Sequence, residues 1–525
     1  MTDHAAAVAA FRIEELAATL HGRLDSLNAC VECCDRHPPD ALALRWSAAD
    51  GRRSEHSFGD LRDRAIRFAG LLRARGIGPG DVVAGLLPRI PDLLAVILGT
   101  WRAGAVYQPL FTAFGPRAIE ARLDASAARM VVTDAANRPK LDAVTGPEFV
   151  LAADLPALLA AQPAMFEPVM RGGNDPFLLM FTSGTTGPPK GVAVPLRALL
   201  GFGTYLRQAV DLRPTDRFWN IADPGWAYGL YYAVTGPLLL GHATTLHDGP
   251  FTAASAYAVM RDWDITNLAG APTAFRMMIA AGPAAAAPLR GQLRAVSSAG
   301  EPLNPEVIRW FAEHLGVAIH DHYGQTELGM VVCNHHALHH PIHPGSAGVA
   351  APGWRVAVLD DADRELPPHQ PGVLAVDIPA SPLHWFTGYL GQPAIPPTQR
   401  YYRTGDTVEG EPGGGVSFVG RSDDIITSAG YRIGPFEVES ALIEHPAVIE
   451  AAVVGKPDPE RTEIVKAFVV LAEGTEGTDE LAAALQQHVR TRLSAHAYPR
   501  EVAFVADLPK TPSGKLQRFL LRARG

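Results

Sequence analysis

The feature that most limits the fold is a rhythm in the first third of the chain. Between residues 58 and 134, helical and β patterns alternate. Residues 61–74 carry apolar side chains at helical spacing, residues 81–87 (DVVAGLL) are a short apolar run, residues 91–102 are helical again with a proline suited to a first turn, and residues 129–133 (RMVVT) are β-rich. Short apolar strands separated by helices predict βαβ units around a mostly parallel sheet. The rhythm returns at residues 243–246, 264–268 and 293–297. After Val349 it gives way to short strands with Gly/Pro turns at 355–359, 372–377 and 416–418, which predicts a smaller β-rich subdomain. Beyond Gly420 about a hundred residues remain, enough for a domain of their own. They read as a helix at 435–444, strands at 449–454 and 466–471, a helix at 479–493 and a strand at 502–505. The expected class is therefore α/β. Residues 1–420 form a large N-terminal domain of mixed and parallel sheets with helices plus the β-rich subdomain, and residues 421–525 form a small α+β domain.

A second feature concerns chemistry. Residues 177–190, FLLMFTSGTTGPPK, run from an apolar strand into a loop that interleaves hydroxyls with glycines and ends on a lysine. Glycine removes the Cβ that keeps a backbone away from a phosphate, and successive N–H groups can then face one anion. The spacing is not that of the P-loop G-x-x-x-x-G-K-[ST], so the common NTPase reading fails.

Bulk properties exclude several classes. The net charge of −9 argues against a non-specific nucleic-acid binder. No apolar run approaches the ~20 residues that span a bilayer, and the first residues lack a basic n-region and a cleavage site. These features predict a cytoplasmic protein without a membrane span whose N-terminus is a short amphipathic helix; a homo-oligomer stays open. Four cysteines in 525 residues are no disulfide scaffold. Cys30, Cys33 and Cys34 beside His37 lack a second ligand pair and read as core cysteines, with Cys333 a poor zinc ligand.

Six segments carry the functional reading: FTSGTTGPPKG (181–191), SAGEPL (298–303), HYGQTE (322–327), YRTGD (402–406), GRSDDIITSAGYRIGPFEVE (420–439) and PKTPSGKLQR (509–518). In this order and spacing they resemble the adenylate-forming superfamily of acyl-CoA synthetases, peptide-synthetase adenylation domains and luciferases, over nearly the whole chain. LNACVECCDRH (27–37) is similar to a segment near the start of acetyl-CoA synthetases, and DPGWAYGLYY (223–232) with YGQTE resembles medium-chain acyl-CoA synthetases. The resemblance implies an AMP-forming ligase. A carboxylic acid would attack the α-phosphate of ATP to give acyl-AMP and pyrophosphate, and the thiol of CoA would then displace AMP. It implies ATP, Mg²⁺ and CoA as co-substrates and cofactor, a small-molecule acid as partner, and a mobile C-terminal domain.

Residue roles follow by matching motifs. Lys515 matches the adenylation lysine, and Lys190 closes the phosphate loop of Thr182, Ser183, Gly184, Thr186 and Gly187. Glu327 matches the Mg²⁺ acid, acting with Thr185; hard oxygen ligands suit that cation. The Gly300-Glu301-Pro302 turn and His322, Tyr323, Gly324, Gln325 and Thr326 would line the adenine and α-phosphate. Asp406 matches the ribose acid, since a carboxylate accepts from two hydroxyls at once. Arg421 matches a second ribose or phosphate contact, Arg432 a phosphate-facing arginine, and Asp423 the hinge. Ala429, Gly430 and Tyr431 would border the pantetheine tunnel, with Arg461, Tyr498 and Arg500 as contacts for the phosphates of CoA.

Trp226, Ala227, Tyr228, Ala299 and Gly324 are the expected acyl pocket. Gly324 stands where acetate-specific relatives put a tryptophan. Removing an indole frees space for several methylenes, each worth about 0.8 kcal/mol when buried, which predicts an acid longer than acetate. Tyr228 pulls the other way by narrowing the tunnel. Histidines at 335, 336, 339, 340 and 343 have metal-like helical spacing, but Pro341 would break such a helix, and the plain reading is a polar loop over the site. Two other functions share these motifs: loading an acyl group onto carrier-protein phosphopantetheine, and non-catalytic binding of an acyl nucleotide. The first lacks a fused carrier domain here; the second would not need Lys515, Glu327 and Asp406 together.

Overall fold

The computed structural model describes residues 2–182, 189–428, 431–459, 461–493, 496–511 and 516–524. The N-terminal rhythm becomes a six-stranded sheet in the spatial order Glu148–Leu151, Met130–Thr133, Val82–Leu86, Val106–Pro109, Pro176–Phe181 and Gly191–Pro195. The first five strands are parallel and the last pair is antiparallel. Helix Phe58–Ala74 leads into Val82–Leu86, and helix Pro91–Arg102 crosses over from that strand to its parallel neighbour Val106–Pro109. The first starts at a reciprocal cap, in which Asp60 N donates to Ser57 Oγ and Ser57 N donates to the Asp60 carboxylate. The second has its proline in the first turn, where the missing N–H is no loss. The last parallel strand ends at Phe181, which pairs with Gly191 at the start of the antiparallel one.

A ten-stranded sheet holds the second half of the large domain. Phe218–Asn220, Asn267–Gly270, Ala295–Ala299 and Ile319–Gln325 are parallel. Gly329–Cys333, Ser346–Ala350, Gly415–Arg421, Tyr401–Gly410, Pro371–Asp377 and Val356–Leu359 continue it antiparallel. The β-rich segment expected after Val349 is thus continuous with the parallel strands. The switch lies at residues 326–328, beside a bulge between Tyr323 and Gly324. Ligands of open α/β sheets bind at the carboxyl ends of such strands, at a topological switch. The SAGEPL and HYGQTE segments leave neighbouring strands there, with Ala299 opposite His322.

Past residue 425, strands Ile426–Ser428, Tyr431–Ile433, Val448–Asp458, Thr462–Leu471 and Glu501–Phe504 form a sheet of their own, packed on helices Pro435–Ile443 and Asp479–Arg492 around a core that includes Ile426, Val438, Leu442, Val453, Val469 and Leu485.

The N-terminus differs from the single helix expected. Thr2–Asp3 pairs with Leu338–His339, and two short helices follow at His4–Ala10 and Ile13–Ala17. The four cysteines are buried and free. The histidine run is not a helix: Leu338–His339 is a strand, and His335 and His336 turn inward rather than forming a polar loop. Among the described residues no helix is long and apolar enough to cross a membrane.

Candidate active site

Asp406 sits at the centre of a polar node and is 5% exposed. Its Oδ2 accepts from the Tyr323 phenol at 2.5 Å and from Gln325 Nε2 at 2.8 Å, while Arg421 donates to Oδ1 at 3.3 Å. Arg421 is its cross-strand partner in the sheet. Burial would lower the pKa of Arg421, but the carboxylates of Asp406 and Asp423 outweigh it and hold the guanidinium above its ordinary value. Burial and the neighbouring Asp406 push Tyr323 well up, so its phenol stays a donor. Gln325 also donates to Thr404 O at 2.9 Å. The node is a preorganised acceptor that three donors face.

Glu327 lies one turn further on. Its Oε1 accepts from the Tyr389 phenol at 2.7 Å. Lys190 Nζ lies over the same tyrosine ring, 4.8 Å from its centroid. The strand-end loop and the HYGQTE segment are therefore joined through Tyr389. Thr182 N donates to Lys190 O at 3.0 Å and closes the base of the loop. Glu327 Oε2 has no hydrogen bond among the described residues. A carboxylate with one oxygen left without a hydrogen bond suits Mg²⁺, which is commonly held by one or two carboxylates with substrate phosphates and water completing the shell. Among the described residues no group of three or more His, Cys, Asp or Glu makes a preformed cage.

The Gly300 turn needs glycine, because φ is +96° there. The Trp226 ring lies 3.6 Å from where a Gly300 Cβ would stand, so indole and turn are in contact. Glu301 does not face outward: its carboxylate accepts from Thr273 Oγ1 at 2.8 Å and pairs with Arg276 at 3.1 Å, which fixes the turn from behind. Thr326 O accepts from Tyr231. Tyr228 and Ala299 are buried and Ala227 is partly so, and the Trp226 and Tyr228 rings are 6.0 Å apart.

Two sequence expectations are corrected. A Cβ on Gly324 would stand 2.1 Å from Gly329 O and 2.8 Å from Met330 Cα. Glycine is required there by a close backbone approach at the bulge, and no indole-sized space is vacated. His322 does not line the cleft either. It is buried, with Nε2 3.1 Å from Asn334 O and Nδ1 2.8 Å from the Tyr205 hydroxyl. A carbonyl only accepts, so Nε2 carries the proton and Nδ1 accepts from the phenol. Burial holds His322 down at about 3, so the ring is neutral.

The candidate contacts in and before the C-terminal sheet lie apart from one another. Tyr431 is exposed and stacks on His496 at 4.2 Å. Tyr498 lies between Arg490 and Arg500, at 5.7 and 4.8 Å. Arg461 N donates to Asp458 Oδ1 in the turn between two strands. Arg432 contributes backbone to the short strand Tyr431–Ile433. Asp423 pairs with Arg421 at 3.4 Å and its carbonyl accepts from Arg522. Ser183, Gly184, Thr185, Thr186, Gly187, Ala429, Gly430 and Lys515 lie outside the described residues. Pro302 follows Glu301 in the turn and is half-buried.

Tyr389, Thr273, Arg276 and Tyr205 were not legible as site residues. Each sits in a segment whose aromatic or helical pattern reads as core, and only the Gly-Tyr-Leu-Gly turn around Tyr389 hints at a special position.

The chain is similar to known proteins over most of its length. A family described as AMP-binding enzyme matches residues 31–390, and the AMP-binding enzyme C-terminal domain matches residues 437–515. The chain is 37% identical to the acetyl-coenzyme A synthetase of Bacillus subtilis, over 95% of this chain and 90% of that protein. It is 35% identical to the mitochondrial acyl-coenzyme A synthetase ACSM4 of Rattus norvegicus, over 92% of this chain and 87% of that one. The crystal structure of a Brucella canis acyl-CoA synthetase superposes with a TM-score of 0.81 at 60% identity, covering 100% of this chain and 99% of that one.

Proposed function

The chain belongs to the family of AMP-binding enzymes and is an AMP-forming acyl-CoA synthetase, and from that premise we propose how its residues divide the work. The substrates are a carboxylic acid, ATP and CoA, and the products acyl-CoA, AMP and pyrophosphate. In the first step a carboxylate oxygen bonds to the α-phosphorus and the bond to pyrophosphate breaks. In the second the CoA sulfur bonds to the acyl carbon and AMP leaves. Two anions must meet in the first step, so charge neutralisation dominates it.

The observation that carries the assignment is the convergence of Asp406 and Glu327 on residues of one strand end, 323–327, with Lys190 linked in through Tyr389. Asp406, braced by Tyr323, Gln325 and Arg421, takes the ribose hydroxyls. Lys190 and the loop from Thr182 to Gly187 take the phosphates. Glu327 and Thr185 would hold Mg²⁺, whose charge offsets that of the phosphates when it is bound. Gly300, Glu301, Pro302, Gly324 and Thr326 shape the nucleotide cleft through their backbone. Lys515 delivers positive charge in the adenylation step.

Residues 1–420 and 421–525 are proposed as the two domains, hinged at Asp423. The C-terminal one then brings residues 429–431 to the thiol in the second step, with Arg432, Arg461, Tyr498 and Arg500 near the phosphates. The acid is proposed to be longer than acetate, short or branched to medium in chain length, on the small side chains of Ala227 and Ala299 beside Trp226 and Tyr228. A cytoplasmic location is proposed from the likeness to a bacterial enzyme.

The test is AMP release with ATP, Mg²⁺ and CoA over straight-chain acids from acetate to dodecanoate, with branched and aryl acids. Strict CoA dependence and a maximum beyond acetate are expected. Pyrophosphate release without CoA turnover would point to a carrier-protein acceptor, and silence to a binding protein. Lys515→Ala should lose acyl-AMP formation and keep thioester formation from supplied acyl-AMP; loss of both would contradict the two-step division.

A further inference from the structure

Lys190 and Glu327 carry opposite charges and approach the same tyrosine, yet they do not pair with each other. Among the described residues neither has an ion pair. Tyr389 occupies the space between them. Its ring face is under the ammonium, 4.8 Å from Nζ, and its hydroxyl donates to Glu327 Oε1 at 2.7 Å. The ring is held on other sides as well. Phe386 meets it edge-on at 5.0 Å, and the next residue, Leu390, donates its N–H to Gly191 O at 2.8 Å, at the foot of the phosphate-loop hairpin. Gly191 leaves just enough room for this crossing, since a Cβ there would stand 3.0 Å from Leu390 Cβ.

We propose that Tyr389 is a positioning residue for metal-bound nucleotide: it keeps Lys190 and Glu327 from neutralising each other and fixes Glu327 with one oxygen turned to the cation. This inference rests on the reading of Lys190 and Glu327 as phosphate and Mg²⁺ groups. The physical argument has two parts. An aromatic face attracts a cation without cancelling its charge, so Lys190 is placed yet remains available to a phosphate. A phenol that donates to one carboxylate oxygen fixes the rotamer and leaves the other oxygen for a hard cation. Removing the hydroxyl and removing the ring should therefore have separable effects.

The experiment uses the full chain and reads binding as well as turnover. Mn²⁺ binding in the presence of α,β-methylene-ATP is followed by the free-Mn²⁺ electron paramagnetic resonance signal. Tyr389→Phe should weaken Mn²⁺ binding about tenfold, the size usual for a residue that orients a metal ligand, with thioester formation from supplied acyl-adenylate unchanged. Tyr389→Leu should in addition weaken binding of the analogue measured without metal, because Lys190 is then free to close on Glu327. Unchanged Mn²⁺ binding by Tyr389→Phe would overturn the inference. So would equal losses in Mn²⁺ binding and in the thioester step together with a lower melting temperature, which would mark a packing role. Glu327→Gln is the control. If it binds Mn²⁺ like the parent, the reading of Glu327 fails and the inference falls with it; if it weakens binding and Tyr389→Phe does not, the inference alone fails.

Discussion

The Tyr323 phenol donates to Asp406 across 2.5 Å, although three strands lie between theirs in the sheet order. Four inter-strand steps of about 4.8 Å would hold two such residues roughly 19 Å apart in a flat sheet. The antiparallel half of the ten-stranded sheet must therefore curl back on the parallel half. That curl brings HYGQTE and YRTGD into direct contact, with Gln325 donating to both Thr404 O and Asp406.

Asp406→Asn keeps the shape of the node and removes its charge. A hydrogen bond to a charged group contributes about 1.5–3 kcal/mol, so kcat/KM for ATP should fall about ten- to hundredfold. Tyr323→Phe removes one donor and should cost less, about fivefold. Steady-state kinetics with ATP varied, and KM for CoA as the internal reference, check both. Unaltered ATP kinetics in Asp406→Asn would reduce the node to a structural brace.

Gly324→Ala tests what the glycine is for. The new Cβ would meet Gly329 O at 2.1 Å, so strand and turn must shift. Overpacking of this kind costs about 1–3 kcal/mol, readable as a lower denaturant midpoint. Activity should then drop with every acid. A stable protein that lost only the longer acids would restore the open-pocket explanation.

Stability should depend on pH through the buried histidines. His335 is 1% exposed, and burial first, then its histidine neighbours, holds it down at about 2; His322 is held at about 3. In the unfolded chain both would titrate near about 6.5. Between those values the unfolded state binds more protons, so stability is complete above about pH 6.5 and falls as pH drops below it. Each such group adds a slope of up to about 1.4 kcal/mol per pH unit. His335→Leu should flatten the fall in chemical denaturation series from pH 7 to pH 4. A parent protein with equal stability at both ends would show that these rings do not resist protonation.

Glu439→Ala should loosen the C-terminal domain. The Glu439 carboxylate accepts from Val453 N at 2.8 Å and holds Arg518 with two bonds of 2.8 Å. Arg518 also reaches Asp424 at 3.5 Å, and Arg522 pairs with the same aspartate. Breaking a buried pair by removing one partner costs about 3–5 kcal/mol; with Asp424 still present, the lower end is expected. Limited proteolysis should cut the variant first after residue 425. An unchanged cleavage pattern would mean that Asp424 alone suffices for Arg518.

Local pattern was enough for much of this protein. The alternation of short apolar runs with capped helices determined the parallel strands, because burial on both faces and a proline or Ser–Asp cap leave each segment one stable conformation. The six motifs determined the chemistry, since hydroxyls, glycines, lysine and carboxylates are needed to hold nucleotide phosphates. Tertiary structure alone decided which of these residues meet. Tyr323 reaches Asp406 because a sheet curls, Tyr389 reaches both Lys190 and Glu327 because a distant turn crosses the hairpin foot, and Gly324 is a glycine because another backbone passes it. His322, inside a functional motif, points into the core. Apart from that of Gly324, whose close neighbour Gly329 follows it in the same hairpin, these contacts join residues tens to hundreds of positions apart, and no local periodicity records them: they arise when strands choose their neighbours.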